Sequence, residues 1–312
     1  RVDRRQRQMC IRDRNTMMEF SMKSSVLENK NEIQAMHDLI KALPQKTSVP
    51  NFEEVIQLSS VQATTKLWKD KHKVIAFAFV DDFNNLRFEL RPEFHSADLE
   101  NEIIEWGLAC MKKRNQKTGK KDTLDSSFSK EFTWQIAMLE RAGFIRENIR
   151  SLFYERSLNE PIKHYALPSG FSLRTVKGKE EVENLVTLHQ AAFGTEYFTV
   201  EARLAIMNAI GYEQELDLVA TAPNGELAAF CICGLEKDDK RIGYTDPVGV
   251  HPAYQKHGLG KAIITAGFRL LEEKGVKTVE IGTSSENLAM QSLAETLGFV
   301  IVSEKLWFSK KV

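Results

Sequence analysis

The sequence predicts a mixed α/β architecture used twice. Two observations carry this expectation. The 312 residues exceed one ordinary domain, and strands alternate with helices in two segments that can be laid over one another. A hydrophobic fraction of 42% beside 28% charged residues describes a globular chain able to bury a core. No window approaches the ~18 uninterrupted apolar residues of a spanning helix, so no membrane partner is expected. Lys+Arg and Asp+Glu balance at 43 each, which argues against a nucleic-acid binder. Cys10, Cys110, Cys231 and Cys233 are too few and too irregular for a disulfide framework or a zinc site. No metal is expected, and a reduced, cytoplasmic protein is the default.

Residues 1–16 stand apart. They carry six arginines, two aspartates and no apolar run, so they lack the h-region of a secretory signal. An arginine-rich arm for nucleic acid is one reading. The string RQRQMCIRDR reads better as a translated sequencing adapter, with the true start at Met17 or Met18. This tail is expected to be non-native and dispensable, and removing it shifts the chain to the acidic side.

Residues 17–158 are then expected to form a first domain, 159–170 a linker and 171–312 a second domain. The linker rests on Asn159-Glu160-Pro161 and Leu167-Pro168-Ser169-Gly170, which punctuate a stretch with little periodicity. In the first half, Lys73–Val80 reads as an apolar strand after the charged turn Lys69-Asp70-Lys71. Its counterpart is 226–233, after Pro223-Asn224-Gly225. Leu90-Arg91-Pro92-Glu93-Phe94 then matches Val250-His251-Pro252-Ala253-Tyr254, each at a strand end. Further on, the segment from Leu139 to Gly143-Phe144 matches that from Ala294 to Gly298-Phe299. Both halves close with a short aromatic strand, at 152–154 and 306–308.

The stretch from Val248 to Lys261 is the most informative. Leu259, Ala262, Ile263, Ala266 and Leu270 fall on one helical face, and Gly275 suits the residue past the helix end. Gly258 and Gly260 therefore sit where a loop becomes a helix, and the unpaired amides and positive dipole end there favour an anion. Without Cβ atoms they let a phosphate approach closely. Gln255 and Ala262 occupy the decisive places of a Walker loop, and Ile263 that of a dinucleotide fingerprint, so both are excluded.

The string Gln255-Lys256-His257-Gly258-Leu259-Gly260, following Val-His-Pro, resembles the Gln/Arg-x-x-Gly-x-Gly pyrophosphate loop of the GNAT-type N-acetyltransferase superfamily. A strand at 279–281, then Asn287-Leu288-Ala289 leading to Leu297-Gly298-Phe299, resembles that family's Asn-x-x-Ala…Gly-Phe region. The resemblance covers roughly residues 171–312, and the doubled arrangement is similar to tandem acetyltransferases such as mycothiol synthase. It implies two acyl-CoA N-acyltransferase-like domains, each a mixed, mostly antiparallel sheet flanked by helices. It further implies seven strands splayed between the fourth and fifth to receive acetyl-CoA as co-substrate. Carried over residue by residue, Val248 and Val250 bind pantetheine through their backbones, the Val250 N–H facing the thioester oxygen. The amides of Lys256, His257, Gly258, Leu259, Gly260 and Lys261 hold the pyrophosphate in a loop headed by Gln255. Lys256 and Lys261 add charge, and Asn287 contacts the cofactor from across the cleft. In the first half the same loop, Arg91 to Glu100, has no glycine and carries Glu93, Asp98 and Glu100. That half is expected not to bind the cofactor.

Acetyl transfer to an amine needs a proton acceptor for the ammonium and a donor for the departing thiolate. Ala294 stands where the family usually has the donor Tyr. Tyr254 is the candidate substitute, with Tyr244, His251, His257 and solvent as alternatives. Asp246, four residues before Val250, is the candidate base, with Glu280 weaker. The resulting expectation is an N-acetyltransferase acting by direct attack of a small-molecule amine, monomeric or homodimeric. The alternative is a non-catalytic acyl-CoA-binding or interaction module, favoured by the missing Tyr. The basic cluster from Lys112 to Lys121 is expected to be a solvated loop. Cys231 and Cys233 are expected to share one buried strand face. Phe193, Tyr197 and Phe198 either line the acceptor pocket or belong to the core.

Overall fold

The computed structural model describes residues 22–43, 48–49 and 51–312. The arginine-rich segment 1–16 lies outside the described residues. The first half contains β1 (Met22–Val26), α1 (Lys30–Ala42), α2 (Phe52–Val55), α3 (Ser59–Ala63), β2 (Lys66–Asp70), β3 (Lys73–Val80) and β4 (Leu86–Leu90). It continues with α4 (Ala97–Thr118), β5 (Leu124–Ser129), α5 (Thr133–Arg141) and β6 (Ile145–Ser157). The second half contains β7 (Ser172–Thr175), α6 (Val182–Phe193), α7 (Val200–Met207), β8 (Asp217–Thr221), β9 (Leu227–Leu235) and β10 (Ile242–Val250). It ends with α8 (Leu259–Glu273), β11 (Thr278–Ser284), α9 (Leu288–Thr296) and β12 (Val300–Lys310). Among the described residues no helix is long and apolar enough to cross a membrane.

Local sequence explains most of these elements. A capping box starts α1: Asn29 Oδ1 accepts from the Glu32 amide while the Glu32 carboxylate accepts from the Asn29 amide. The unbroken apolar run of β3 is buried on both faces. Phe77 and Phe79 pack with Met36 and Leu39 of α1, and Ala76, Ala78 and Val80 pack with Leu99 and Ile103 of α4. In the second half, α8 lays Leu259, Ile263, Ile264, Phe268 and Leu271 on Leu218, Ala229, Cys231 and Cys233. Cys231 and Cys233 are buried with their sulfurs 3.6 Å apart. One local expectation fails. Lys112, Lys113, Arg114 and Lys117 are not in a loop but in the last turns of α4, which Gly119 ends in the left-handed region at φ 69°. Lys112, Lys113 and Lys117 are exposed on that helix, whereas Arg114 turns inward and donates to the Asp81 carbonyl and Asn84 Oδ1.

Strand order runs β1-β2-β3-β4 in one sheet and β5-β12-β6-β11-β10-β9-β8-β7 in the other. The two halves therefore trade their closing strands. β6, from the first half, lies between β11 and β12; β12, from the second, lies between β5 and β6. The closing strands are also far longer than their aromatic cores at 152–154 and 306–308 suggest. In each half the fourth and fifth strands touch in parallel at one end only. A single bridge joins Asn85 to Asp125, and three residues, Ile242 to Tyr244, pair with Thr278 to Glu280.

Candidate functional site

β10 and β11 pair only as far as Tyr244 and Glu280, whereas β10 runs on to Val250 against β9 alone. Beyond Tyr244 the two strands splay and leave one backbone edge of β10 without a strand partner. Register against β9 shifts between Thr245 and Val248, leaving Asp246 and Pro247 as an unpaired bulge. Proline has no N–H to give a ladder, and a bulge turns its side chains off the sheet. Asp246 is thus aimed into the crotch of the splay, where the Gly282 backbone N–H donates to it. Its carboxylate is reached by solvent from the cleft but crowded by protein elsewhere. Desolvation pushes it up to about 6, against the opposing effect of the Gly282 hydrogen bond.

At the outer end of the splay, β10 leads through a short 3-10 turn, Pro252–Tyr254, into α8. Ala262 is the first amide of α8 to reach a backbone carbonyl, that of Gly258 at 3.1 Å. The amides from Lys256 to Lys261 donate to no backbone or side-chain acceptor among the described residues. Gly258 caps the helix at φ 84° and offers no side-chain acceptor; Lys256 is also left-handed, at φ 65°. Alternation of this kind curls consecutive amides into a nest that suits an anion. At Gly260 a Cβ would lie 3.1 Å from Leu293 Cδ2, so any side chain there needs Leu293 to give by a few tenths of an ångström.

The other residues singled out from the sequence fall into two groups. Val248, Val250 and the 255–261 loop line up along the splay. The Gln255 side-chain amide donates to the Val250 carbonyl at 3.2 Å, pinning loop to strand. Lys261 leans its ammonium over the Tyr165 ring, which Lys163 covers as well. Asn287 caps α9, accepting from the Met290 amide at 3.1 Å. Tyr254 is not brought to the crotch. Its ring packs edge-on against Phe171, and its hydroxyl donates to Glu226 at 2.6 Å and accepts from Asn224. The Glu226 bond raises the phenol's pKa, which opposes an acid role there. His251 Nδ1 accepts from the Ala253 amide and belongs to the turn. Ala294 is fully buried among core side chains. Of the three aromatics that follow the middle of α6, Phe198 is buried, whereas Phe193 and Tyr197 are half exposed.

A cleft of about 370 Å³ opens at the crotch, lined by Tyr244, Asp246, Pro247, Glu280, Ile281 and Gly282. Its lining also includes Ile206 of α7, Ile210 just beyond that helix, and Glu54, Phe153 and Lys305. Glu54 belongs to α2 and Phe153 to β6, so the first half builds part of this wall. Burial pushes the Glu54 carboxyl up to about 7 and the Tyr244 phenol up to about 12. Sequence reading missed Glu54, Phe153 and Lys305. No local pattern marks them, because Phe153 and Lys305 arrive through strand exchange and Glu54 through the packing of α2 on α7. Chemically, the arrangement offers an anion-ready loop, an unpaired strand edge and an acidic cleft in one line.

Comparison with known proteins adds a family likeness. Residues 182–299 match the family described as Acetyltransferase (GNAT) family. The match falls wholly within the second half of the chain and takes in both the splay and the 255–261 loop. A mycothiol acetyltransferase from Renibacterium salmoninarum is 30% identical over 141 residues, covering 43% of this chain and 42% of that protein. One from Rhodococcus erythropolis is 28% identical over 154 residues, covering 46% of this chain and 52% of that protein. The chain thus spans about half the length of these relatives. Whole-chain likeness comes from solved structures. The GCN5-related N-acetyltransferase from Sphaerobacter thermophilus superposes with a TM-score of 0.64 at 17% identity, covering 93% of this chain and 95% of that one. A tandem GNAT protein from the clavulanic acid biosynthesis pathway gives 0.62 at 14%, covering 93% and 98%. The described residues therefore have the GNAT fold, used in tandem.

Proposed function

We propose that this protein transfers an acetyl group from acetyl-CoA to the amine of a small molecule by direct attack, using the second half as its catalytic domain. The observation that carries this reading is the splay of β10 from β11, which links the unpaired amides of 256–261 to the Asp246 cleft. The loop amides and Lys256 hold the pyrophosphate, and the open edge at Val248 and Val250 takes the pantetheine arm. The thioester supplied by acetyl-CoA then lies where strand and cleft meet.

Asp246 takes the proton of the incoming ammonium, directly or through a water. A carboxyl near 6 is mostly ionised at neutral pH yet still basic enough to accept, which is the compromise a general base needs. As the amine nitrogen bonds to the acetyl carbon and the carbon–sulfur bond breaks, the Val250 N–H faces the carbonyl oxygen. The nitrogen's second proton is shed to solvent as the adduct collapses and the thiolate takes its proton from solvent, since Tyr254 is engaged by Glu226 and Ala294 has no acidic group. We also propose the division into a first domain at 17–158, a connecting segment at 159–170 and a second at 171–312, with β6 and β12 exchanged between them.

The buried Ala294 favours a second reading, a module that binds acyl-CoA without turnover. A calorimetric titration with coenzyme A followed by a thiol-release assay across an amine panel separates the two. Binding with amine-dependent thiol release supports the transferase; binding with release no faster than hydrolysis, whatever the amine, overturns it.

A further inference from the structure

Two cavities adjoin at one pair of side chains. The Asp246 cleft has Phe153 and Lys305 in its wall, and a second cavity of about 260 Å³ is lined by the same two residues. Four serines, Ser48, Ser127, Ser129 and Ser303, line that second cavity. Strand exchange explains the arrangement. Lys305 of β12 lies opposite Ser129 of β5 as Phe153 of β6 lies opposite Gly282 of β11. The serine-lined cavity is therefore the first half's counterpart of the catalytic cleft, turned to face it.

Lys305 is the cation at this junction. Its ammonium sits 5.3 Å from the centre of the Phe153 ring and belongs to none of the ion pairs among the described residues. Arg87, already paired with Asp81 and bonded to Ser127, repels it, while Glu131, which also lines the serine cavity, attracts it. Burial, with Arg87 adding to it, holds the amine down at about 8. A partly desolvated ammonium at the edge of a serine-lined cavity, two of whose hydroxyls (Ser48 with Glu89 and Ser127 with Arg87) are already bonded, gains from an arriving anion. Glu54, Glu236, Asp246 and Glu280 line the rest of the cleft. The Asp246 end thus suits a cation, while Lys305 is, among the described residues, the one cation lining the serine cavity, where an anion would compete with Glu131 for it.

We infer that the acceptor is a small amine that also carries an anionic group, a carboxylate or a phosphate ester, received by Lys305 and the serine hydroxyls while the amine lies at Asp246. This rests on the transferase reading for its choice of occupant. It also gives the first half a part in recognition, because its own cleft holds the far end of the acceptor.

Matched probes test this. Amines of graded length, each with a terminal carboxylate or a neutral end (4-aminobutanoate against butylamine, for instance), and O-phosphoethanolamine against ethanolamine are compared in two assays. One is acetyl transfer; the other is calorimetric binding to protein saturated with coenzyme A. The anionic member should lead by about tenfold or more, mainly through KM, since a hydrogen bond to a charged group is worth that much. Lys305→Met should bring the ratio to within about twofold of one, and Lys305→Arg should keep most of it. Carboxylate and phosphate arms show which anion is preferred. Equal handling of both members by the parent, or a Lys305→Met loss that falls equally on both, overturns the inference. A preference seen in binding without any transfer upholds the anion site and sinks the transferase reading instead.

Discussion

The two strand–loop–helix corners of this molecule share a backbone plan and differ in how they treat the start of a helix. In the first half α4 caps itself: the Ser96 hydroxyl accepts from the Leu99 amide, and Asp98 and Glu100 sit in the first turn. Counting from Pro92 and Pro252, Glu100 stands where the second half has Gly260. It is buried and bonded to both His95 and Arg141. Burial alone would raise its carboxyl, but the Arg141 and His95 bonds outweigh that and hold it below its usual value. The first half has satisfied its helix dipole with its own side chains. In the second half α8 has no side-chain cap and no acid in its first turn, so its dipole and amides are left for an external anion. One fold thus supplies an anion site or a closed corner, depending on a few residues.

The comparison can be broken most severely by separating the halves. A protein consisting of residues 171–312 lacks β6, leaving β11 and β12 without the strand that joins them. It should fail to show a cooperative melting transition; a well-folded fragment that binds coenzyme A would contradict the exchange. Next in size is Gly260→Asp. Its Cβ meets Leu293 and its carboxylate takes the place Glu100 holds in the first half, so coenzyme A affinity should fall by more than about 100-fold, as expected for an unpaired charge set against a phosphate. Substitution of Ala97 in the first half should leave that affinity unchanged by the same calorimetry.

Asp246→Asn keeps shape and removes the proton acceptor. The rate should fall by roughly 10²–10⁴ with coenzyme A affinity nearly intact. Because the folded carboxyl is raised to about 6, the parent's rate should climb as pH rises through that value and the base ionises. That limb should vanish in the variant; full activity across pH 6–9 would make Asp246 a brace for the Gly282 amide. The smallest effect belongs to Ala294→Tyr. Restoring the family's usual residue puts a ring where the side chain is fully buried, which should cost about 1–3 kcal/mol by overpacking. A melting curve reads this directly, and a faster enzyme at unchanged Tm would contradict it.

How far the sequence could be read follows from which interactions are local. The 255–261 loop was legible because glycine at a loop–helix junction has one cheap explanation, and β3 because eight apolar residues between charged turns leave little choice. Helix α8 and its end at Gly275 followed from spacing in the same way. The exchange of β6 and β12 was not legible, since pairing partners are chosen by sheet edges far away in the chain. Phe153 and Lys305 were invisible for the same reason, as their place in the cleft is a consequence of that exchange, and Glu54 because it reaches the cleft through the packing of α2 on α7. Tyr254 was placed near the chemistry by counting along the chain, but Glu226 and Asn224 hold its hydroxyl on the turn instead.

The central claim, that one half holds the cofactor and the other cannot, has a direct readout in the stoichiometry of coenzyme A binding to the whole chain. Calorimetry should give one site per chain, lost in Gly260→Asp and still single in Glu100→Gly. Two sites in the parent, or a site that survives Gly260→Asp, would contradict the account.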